Sequence, residues 1–427
     1  MMGVEYISSD FYFGGCDTVT LAKKYGTPLY VMSEDYICER CKEIGEDFLG
    51  KYENTRAVYA SKAFLTLEMC RIIEREGLGI DVVSGGELYT AIKAGFSMEK
   101  VIFHGNNKTI DEIELAVKHH VGRIVVDNLY ELELLNSVAQ AFGKKMKILF
   151  RITPGVDSYT HKYISTGQVD SKFGIPLKGN IIEQGVKKAM EASNIELMGF
   201  HFHVGSQLFD NTSHIKAVKI LVKLIKNMKE EVGFITKELN TGGGFGIYYA
   251  EGDEPKPLKY FTDAIMNTVK EECNEKDLCM PQVIIEPGRW LVGQAGITLY
   301  TVGSIKEIPG VRTYVSVDGG LPDNPRPALY DAKYEAVVAN KMDQEKKQLV
   351  TIAGKCCESG DILRVDLEVP FLEPGDLLAF KSTGAYNYSM ASNYNKIPRP
   401  AVVMVRGGEN RLIVKRETYE DLLRNEL

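Results

Sequence analysis

The stretch MGFHFHVGSQLFDNTSHIKAVKILVKLIKNMKEEVGFITKELNTGGG, residues 198–244, decides the fold. MGFHFHVGS (198–206) is aromatic and apolar, then turns polar and glycine-containing, the composition of a strand running into a loop. SHIKAVKILVKLIKNMKEEVG (213–233) spaces its apolar residues at the helical period, sets lysines between them and closes on glycine. KELNTGG (237–243) returns to strand length. Strand, amphipathic helix and strand in that order predict a βα unit, because parallel neighbours need a crossover long enough to hold a helix.

The same alternation extends outward in both directions. AVYASK (57–62), GIDVVS (79–84), VIFHG (101–105), RIVVDN (123–128) and KILFRI (147–152) precede the central unit, and QVIIEPG (282–288) follows it, which makes eight candidate strands. LTLEMCRIIEREG, GELYTAIKAG, TIDEIELAVKHH, LYELELLNSVAQAFG and NIIEQGVKKAMEA supply helical segments between them. Eight such units over about 250 residues fill a closed (β/α)8 barrel. The predicted fold class is therefore α/β, a TIM-like barrel over residues 34–288. Past Trp290 the texture changes to strand-length runs such as GITLYTVGSIKEI, TYVSVDG, QLVTIAG, DLLAFKS and AVVMVRGG, separated by Gly, Pro and Asp turns. They predict a second, all-β domain, sandwich or barrel-like, over residues 289–427, joined by residues 1–33 through PLYVMS (28–33).

A chain of 427 residues with 44% apolar and 26% charged positions buries a large core and is not disordered. Its formal net charge of -7 argues against a nucleic-acid binder and leaves a small molecule as the expected ligand. No apolar run reaches membrane-spanning length, and the opening MMGVEYISSD lacks a basic-then-apolar signal, so a cytoplasmic protein is expected. Eight irregularly spaced cysteines read as reduced thiols. Cys38 and Cys41 form a C-x-x-C without a second pair, and no metal is expected.

In a barrel, functional side chains gather where strands end in βα loops. The polar residues obey that rule: Lys62, Asp81 with Ser84, His104, Asp127, Arg151, His203 with Ser206, Gly242 to Gly244, and Glu286 with Arg289 close strands one to eight in turn. Lys62, placed at the mouth and desolvated, suits a covalent amine; a surface lysine at a strand end is the competing reading. NTGGGFG (240–246) offers backbone N–H groups to phosphate oxygens, yet fits neither G-x-G-x-x-G nor the P-loop pattern. HFHVGS places His201 and His203 two apart, on one strand face, with His201 read as a buried core residue. EPGR (286–289) sets a carboxylate and a guanidinium a short turn apart, which also suits a plain salt bridge.

Ten motifs in register resemble the fold-type III pyridoxal-phosphate decarboxylases, in particular the branch acting on diaminopimelate. They are YASKAF (59–64), DVVSGGEL (81–88), FHGNNK (103–108), HKYISTGQVDSKFGI (161–175), FHFHVGSQ (200–207), NTGGGFG, EPGRW (286–290), DNPRPALYDA (323–332), CCESGD (356–361) and GAYNYSMASNYN (384–395). The resemblance implies pyridoxal 5'-phosphate as cofactor, held covalently by Lys62, with His203 against one ring face and Glu286 on the ring nitrogen. It places Gly242, Gly243, Gly244, Ser206, Gly288, Arg289 and Tyr386 around the phosphate. It implies a homodimer in which Cys357 and Glu358 reach the site from the partner subunit, and Cys357 donates a proton to the substrate carbon.

A carboxylate that keeps the pyridine nitrogen protonated makes the ring an electron sink, which loss of carbon dioxide from an α-amino acid requires. The implied reaction converts meso-2,6-diaminopimelate, at its D-centre, to L-lysine and carbon dioxide, the last step of lysine biosynthesis. The second amino-acid head of such a substrate carries a carboxylate suited to guanidinium donors. Arg289, Arg326, Tyr330 and Tyr386 are the candidates for it, and Glu358 for the amine. Two alternatives are a same-fold decarboxylase of carboxynorspermidine or of a carrier-tethered amino acid, and a non-catalytic homologue.

Overall fold

The computed structural model describes residues 9–156 and 170–427, and they divide into two compact units. One comprises residues 40–247 and 254–291; the other comprises the residues through 39, 248–253 and 292–427. In the first, β1 (Thr55–Ala60), β2 (Gly79–Val82), β3 (Val101–Phe103), β4 (Arg123–Val126), β5 (Met146–Thr153), β6 (Ile195–His201), β7 (Glu238–Asn240) and β8 (Gln282–Ile285) pair in sequence order, all parallel. The last strand pairs back onto the first through Ile285 and Ala57, so the sheet closes into the expected eight-stranded barrel. Val58, Ile102, Val125, Leu149, Met198 and Ile284, one from each of six strands, form a single buried cluster. A barrel interior filled in this way is a packed core, which leaves the strand ends for chemistry.

The helices that alternate with these strands are α1 (Leu67–Arg75), α2 (Gly85–Ala94), α3 (Ile110–Lys118), α4 (Leu129–Ala141), α5 (Ile181–Glu191), α6 (Thr212–Val232) and α7 (Leu258–Glu275). Four begin on side-chain caps: Thr66 accepts from the Met69 amide, Ser84 from Glu87, Thr109 from Glu112 and Asn128 from Glu131. Each cap stabilises its helix by about 1 kcal/mol and fixes the loop that carries a rim residue. Helix α7, absent from the expected segments, buries Leu258, Phe261, Ile265, Met266 and Val269 at helical spacing.

Seven of the eight strands stop earlier than the sequence predicts, while the fifth runs one residue past its expected end to Thr153. The first was expected to 62 but ends at Ala60, where Ser61–Ala63 forms a 3-10 turn. The seventh ends at Asn240 because Gly242 takes φ +68°, outside the strand region. The sixth ends at His201, so His201 and His203 do not share one strand face; His203 lies in the following loop.

In the second unit, one sheet runs in the order Ile362–Val369, Gln348–Ala353, Arg312–Val317, Gly296–Ile308, Leu29–Ser33, Ala401–Arg406, Glu409–Val414. Strand Leu29–Ser33 lies antiparallel to 296–299 and parallel to 401–405, so the N-terminal part of the chain is an interior strand of this sheet. Residues 248–253, expected in the barrel, belong here: Tyr248 Oη donates to Glu335 at 2.5 Å and Ser382 Oγ to the Tyr248 carbonyl at 3.1 Å. Among the described residues no helix is long and apolar enough to cross a membrane.

Candidate active site

The centre of the barrel site is a buried carboxylate with three nitrogen partners. Glu286 Oε1 lies 2.7 Å from His104 Nε2 and accepts from Asn240 Nδ2 at 2.7 Å, while Oε2 lies 3.2 Å from His201 Nε2. All four side chains are buried. Burial alone would push the Glu286 carboxyl up, but the two imidazoles beside it hold it well below the usual carboxylate range. Those imidazoles act as neutral N–H donors, because burial pulls His201 down to about 4 and lowers His104 as well. Glu286 is therefore an anion whose charge is held by hydrogen bonds.

Asp81 is the counterpart. It is fully enclosed, its Oδ1 has no hydrogen-bond partner, and burial followed by the Glu286 charge pushes its carboxyl well above the ordinary value. Two buried carboxyls so close do not both ionise, and the one with three N–H donors keeps the charge. The Lys62 charge acts in the opposite sense on Asp81, lowering it. Its side chain is exposed, contrary to the expected desolvation, because the 3-10 turn buries Ser61 and Ala63 and leaves the residue between them outward.

The glycine loop stands beside the carboxylate. The Gly243 amide donates to His203 Nδ1 at 3.3 Å, so that nitrogen carries a lone pair. Burial, then the Lys62 charge, holds the His203 imidazole well below its ordinary pKa, consistent with a neutral ring. From behind, His214 Nε2 donates to the Gly243 carbonyl at 2.9 Å. Ser206 and Arg289 meet where expected: Arg289 Nη2 donates to Ser206 Oγ at 3.0 Å. Glu286 and Arg289 thus have separate partners, and the salt bridge considered for EPGR is not what holds either of these contacts. A hydroxyl and a guanidinium beside the loop are donors for a phosphate, the Gly242 and Gly243 amides being engaged by Asn240 and His203, and an ionised carboxylate is an acceptor for a protonated ring nitrogen. The residues fit pyridoxal phosphate at both ends.

A β-carbon on Gly243 would sit 2.1 Å from the Glu286 carbonyl oxygen, so the loop and the strand end could not both keep their places. Gly243→Ala is expected to destabilise the protein by about 1–3 kcal/mol, as overpacking does, and to weaken cofactor binding. Thermal unfolding and cofactor titration measure the two effects; an unchanged variant on both would disprove the close-packing argument.

The expected residues of the second unit form two groups. Arg326, 6% exposed, has its guanidinium carbon 5.4 Å from the Tyr386 ring, 5.6 Å from Tyr330 and 5.7 Å from Tyr249. Its Nε is buried without a hydrogen bond. Tyr386 is held at φ +66°, a conformation that costs about 1–3 kcal/mol in a non-glycine residue and marks a constrained loop. Elsewhere in the unit, Cys357 is exposed and its amide donates to Asn395 Oδ1 at 2.9 Å. The adjacent Cys356 is pushed up to about 12 by burial and then by Asp361. Of the two thiols Cys357 is the more exposed. Glu358 is exposed beside it.

Sequence reasoning missed His201 as a site residue, and did not single out Asn240 or His214. His201 is isolated in sequence from acidic residues, and only barrel closure brings it to His104 and Glu286. One side-chain atom from each of these three lies within 4.8 Å of the others, a spacing that hydrogen bonding to Glu286 accounts for. Most of HKYISTGQVDSKFGI lies outside the described residues.

Residues 35–293 match the family model for the pyridoxal-dependent decarboxylase, pyridoxal binding domain. The chain is 51% identical to the diaminopimelate decarboxylase of Bacillus subtilis over 97% of its length and 94% of that protein's. To the diaminopimelate decarboxylase of Staphylococcus aureus it is 42% identical over 100% of both. Among solved structures, diaminopimelate decarboxylase from M. jannaschii in co-complex with L-lysine is similar with a TM-score of 0.93 and 38% identity, over 99% of this chain and 97% of that one. The Helicobacter pylori enzyme complexed with L-lysine gives 0.87 and 32%, over 96% and 99%.

Proposed function

The chain belongs to the pyridoxal-dependent decarboxylase family, and from that membership we propose that it removes the carboxylate at the D-centre of meso-2,6-diaminopimelate, releasing carbon dioxide and L-lysine. The observation that carries the reading is the buried Glu286 among three nitrogen partners, tied through Asn240 to the glycine loop at the barrel end. Pyridoxal 5'-phosphate, when bound, supplies a sink for the electrons of the breaking bond. Lys62 would hold it covalently through its amine, and His203 would lie against the ring. Gly242, Gly243, Gly244, Ser206, Gly288, Arg289 and Tyr386 would hold its phosphate. Glu286 would keep a proton on the ring nitrogen, because a carboxylate held as an anion by N–H donors takes up no proton itself and its negative charge favours the protonated ring.

The distal head of the substrate is assigned to the second unit. Arg326 brings a buried cation with an unsatisfied Nε and aromatic walls, a setting that favours a planar carboxylate. Arg289, Tyr330 and Tyr386 assist it, and Glu358 takes the amine. Cys357 donates the proton to the carbon that has lost carbon dioxide; its exposed thiol supports that role better than the half-buried Cys356, whose thiol is pushed up to about 12. Cys357 and Glu358 serve the barrel of a partner copy, which makes the working form a homodimer, and the protein acts in the cytoplasm.

A steady-state assay with meso-diaminopimelate and added cofactor tests the reading: lysine accumulates, and its absence would overturn the assignment. Arg326→Leu removes a charged hydrogen-bond partner from the distal carboxylate and is expected to raise KM about ten- to a hundredfold, with a smaller change in kcat. An unaltered KM would instead leave Arg326 as a structural cation among tyrosines.

A further inference from the structure

We propose that Asn240 is a positioning residue that locks Glu286 to the glycine loop, so that the nitrogen end and the phosphate end of the cofactor site are set as one piece. The proposal rests on the cofactor reading above. Asn240 is the last residue of β7 and is 0% exposed. Its Oδ1 accepts the Gly242 amide at 3.0 Å and its Nδ2 donates to Glu286 Oε1 at 2.7 Å. The Glu286 amide returns a bond to the Gly242 carbonyl at 2.7 Å. A closed circuit thus runs from loop to side chain to carboxylate to backbone and back to the loop.

The circuit also sets chemistry. A backbone N–H can only donate, so the Gly242 amide fixes which end of the Asn240 amide is oxygen and turns the NH2 group onto Glu286. A group that can only donate there requires an accepting oxygen, which disfavours a proton on that oxygen of Glu286. Aspartate has the same size but, ionised, cannot donate and adds a like charge; an apolar residue leaves both the Gly242 amide and Glu286 one bond short. Of the side chains that fit, an amide meets both demands.

Two measurements decide it. Apoenzymes of Asn240→Asp and Asn240→Ala are titrated with pyridoxal phosphate across the neutral and mildly alkaline range. Both are expected to bind about ten- to a hundredfold more weakly than wild type. Asn240→Asp should lose further affinity as pH rises, because the added carboxyl ionises against Glu286. Affinity and pH profile equal to wild type would overturn the proposal. Because either variant could fold poorly, pyridoxal lacking its phosphate is also bound to wild-type apoenzyme with and without inorganic phosphate. Ordering of the loop by phosphate should tighten pyridoxal binding through the Asn240 link; indifference to phosphate would overturn the link. Failure of wild type to bind pyridoxal phosphate at all would instead remove the cofactor reading.

Discussion

Lys62→Ala is expected to bind pyridoxal phosphate without forming a covalent bond to the protein and to lose turnover almost completely. The residue sits on the 3-10 turn after β1 with an exposed amine, and its charge acts on both Asp81 and His203. Loss of the amine removes the covalent anchor and a proton carrier together, and a positioned proton-transfer group is commonly worth about 100- to 10,000-fold in rate. Borohydride reduction of the loaded wild type should leave the cofactor attached to Lys62 by mass spectrometry, and none on the variant. A reduced adduct on any other lysine, or turnover near wild type, would show that the anchor is elsewhere. Thermal unfolding should change little, since the side chain is exposed.

Glu286→Gln is the second large effect and acts without touching the anchor. Glutamine keeps the shape but presents an NH2 where the carboxylate had two accepting oxygens. His104, His201 and Asn240 all offer N–H groups to that position, so at least one buried donor loses its partner. More important, the negative charge that keeps the ring nitrogen protonated is gone. The expected result is covalent attachment at Lys62 as before, with kcat lower by about 100- to 1000-fold, the scale of losing one preorganised electrostatic contact. Stopped-flow and steady-state measurements on the loaded variant check it. A wild-type rate would mean that the reaction does not draw on the nitrogen end of the site, and the reading of the barrel centre would have to be given up.

Much of this site is legible in the sequence. Eight runs of apolar residues, each ending in a polar position, suffice to place Lys62, Asp81, His104, His203, Ser206, Glu286 and Arg289 at one end of a barrel. The rule is physical: in a parallel barrel every strand ends on the same face, so a polar residue after each apolar run must join the others. Less legible are the elements whose signal is shared or weak. Helix α7 has ordinary amphipathic spacing but no flanking motif, and residues 248–253 carry tyrosines whose partners, Glu335 and Ser382, are far along the chain.

Charge states and pairings lie beyond sequence. His201 reads as a core residue because no carboxylate is close to it in the chain, and residue type alone does not separate Cys356 from Cys357, which only the family resemblance does. In three dimensions His201 is a donor to Glu286, and partial burial followed by Asp361 raises the Cys356 thiol while Cys357 stands exposed. What the order of residues determined by itself was which groups arrive at the barrel end, since periodicity and strand direction are local properties. Which carboxyl keeps its charge, which imidazole stays neutral and which amide ties loop to carboxylate were decided only by the tertiary structure, because desolvation and hydrogen bonding depend on groups brought close from distant parts of the chain.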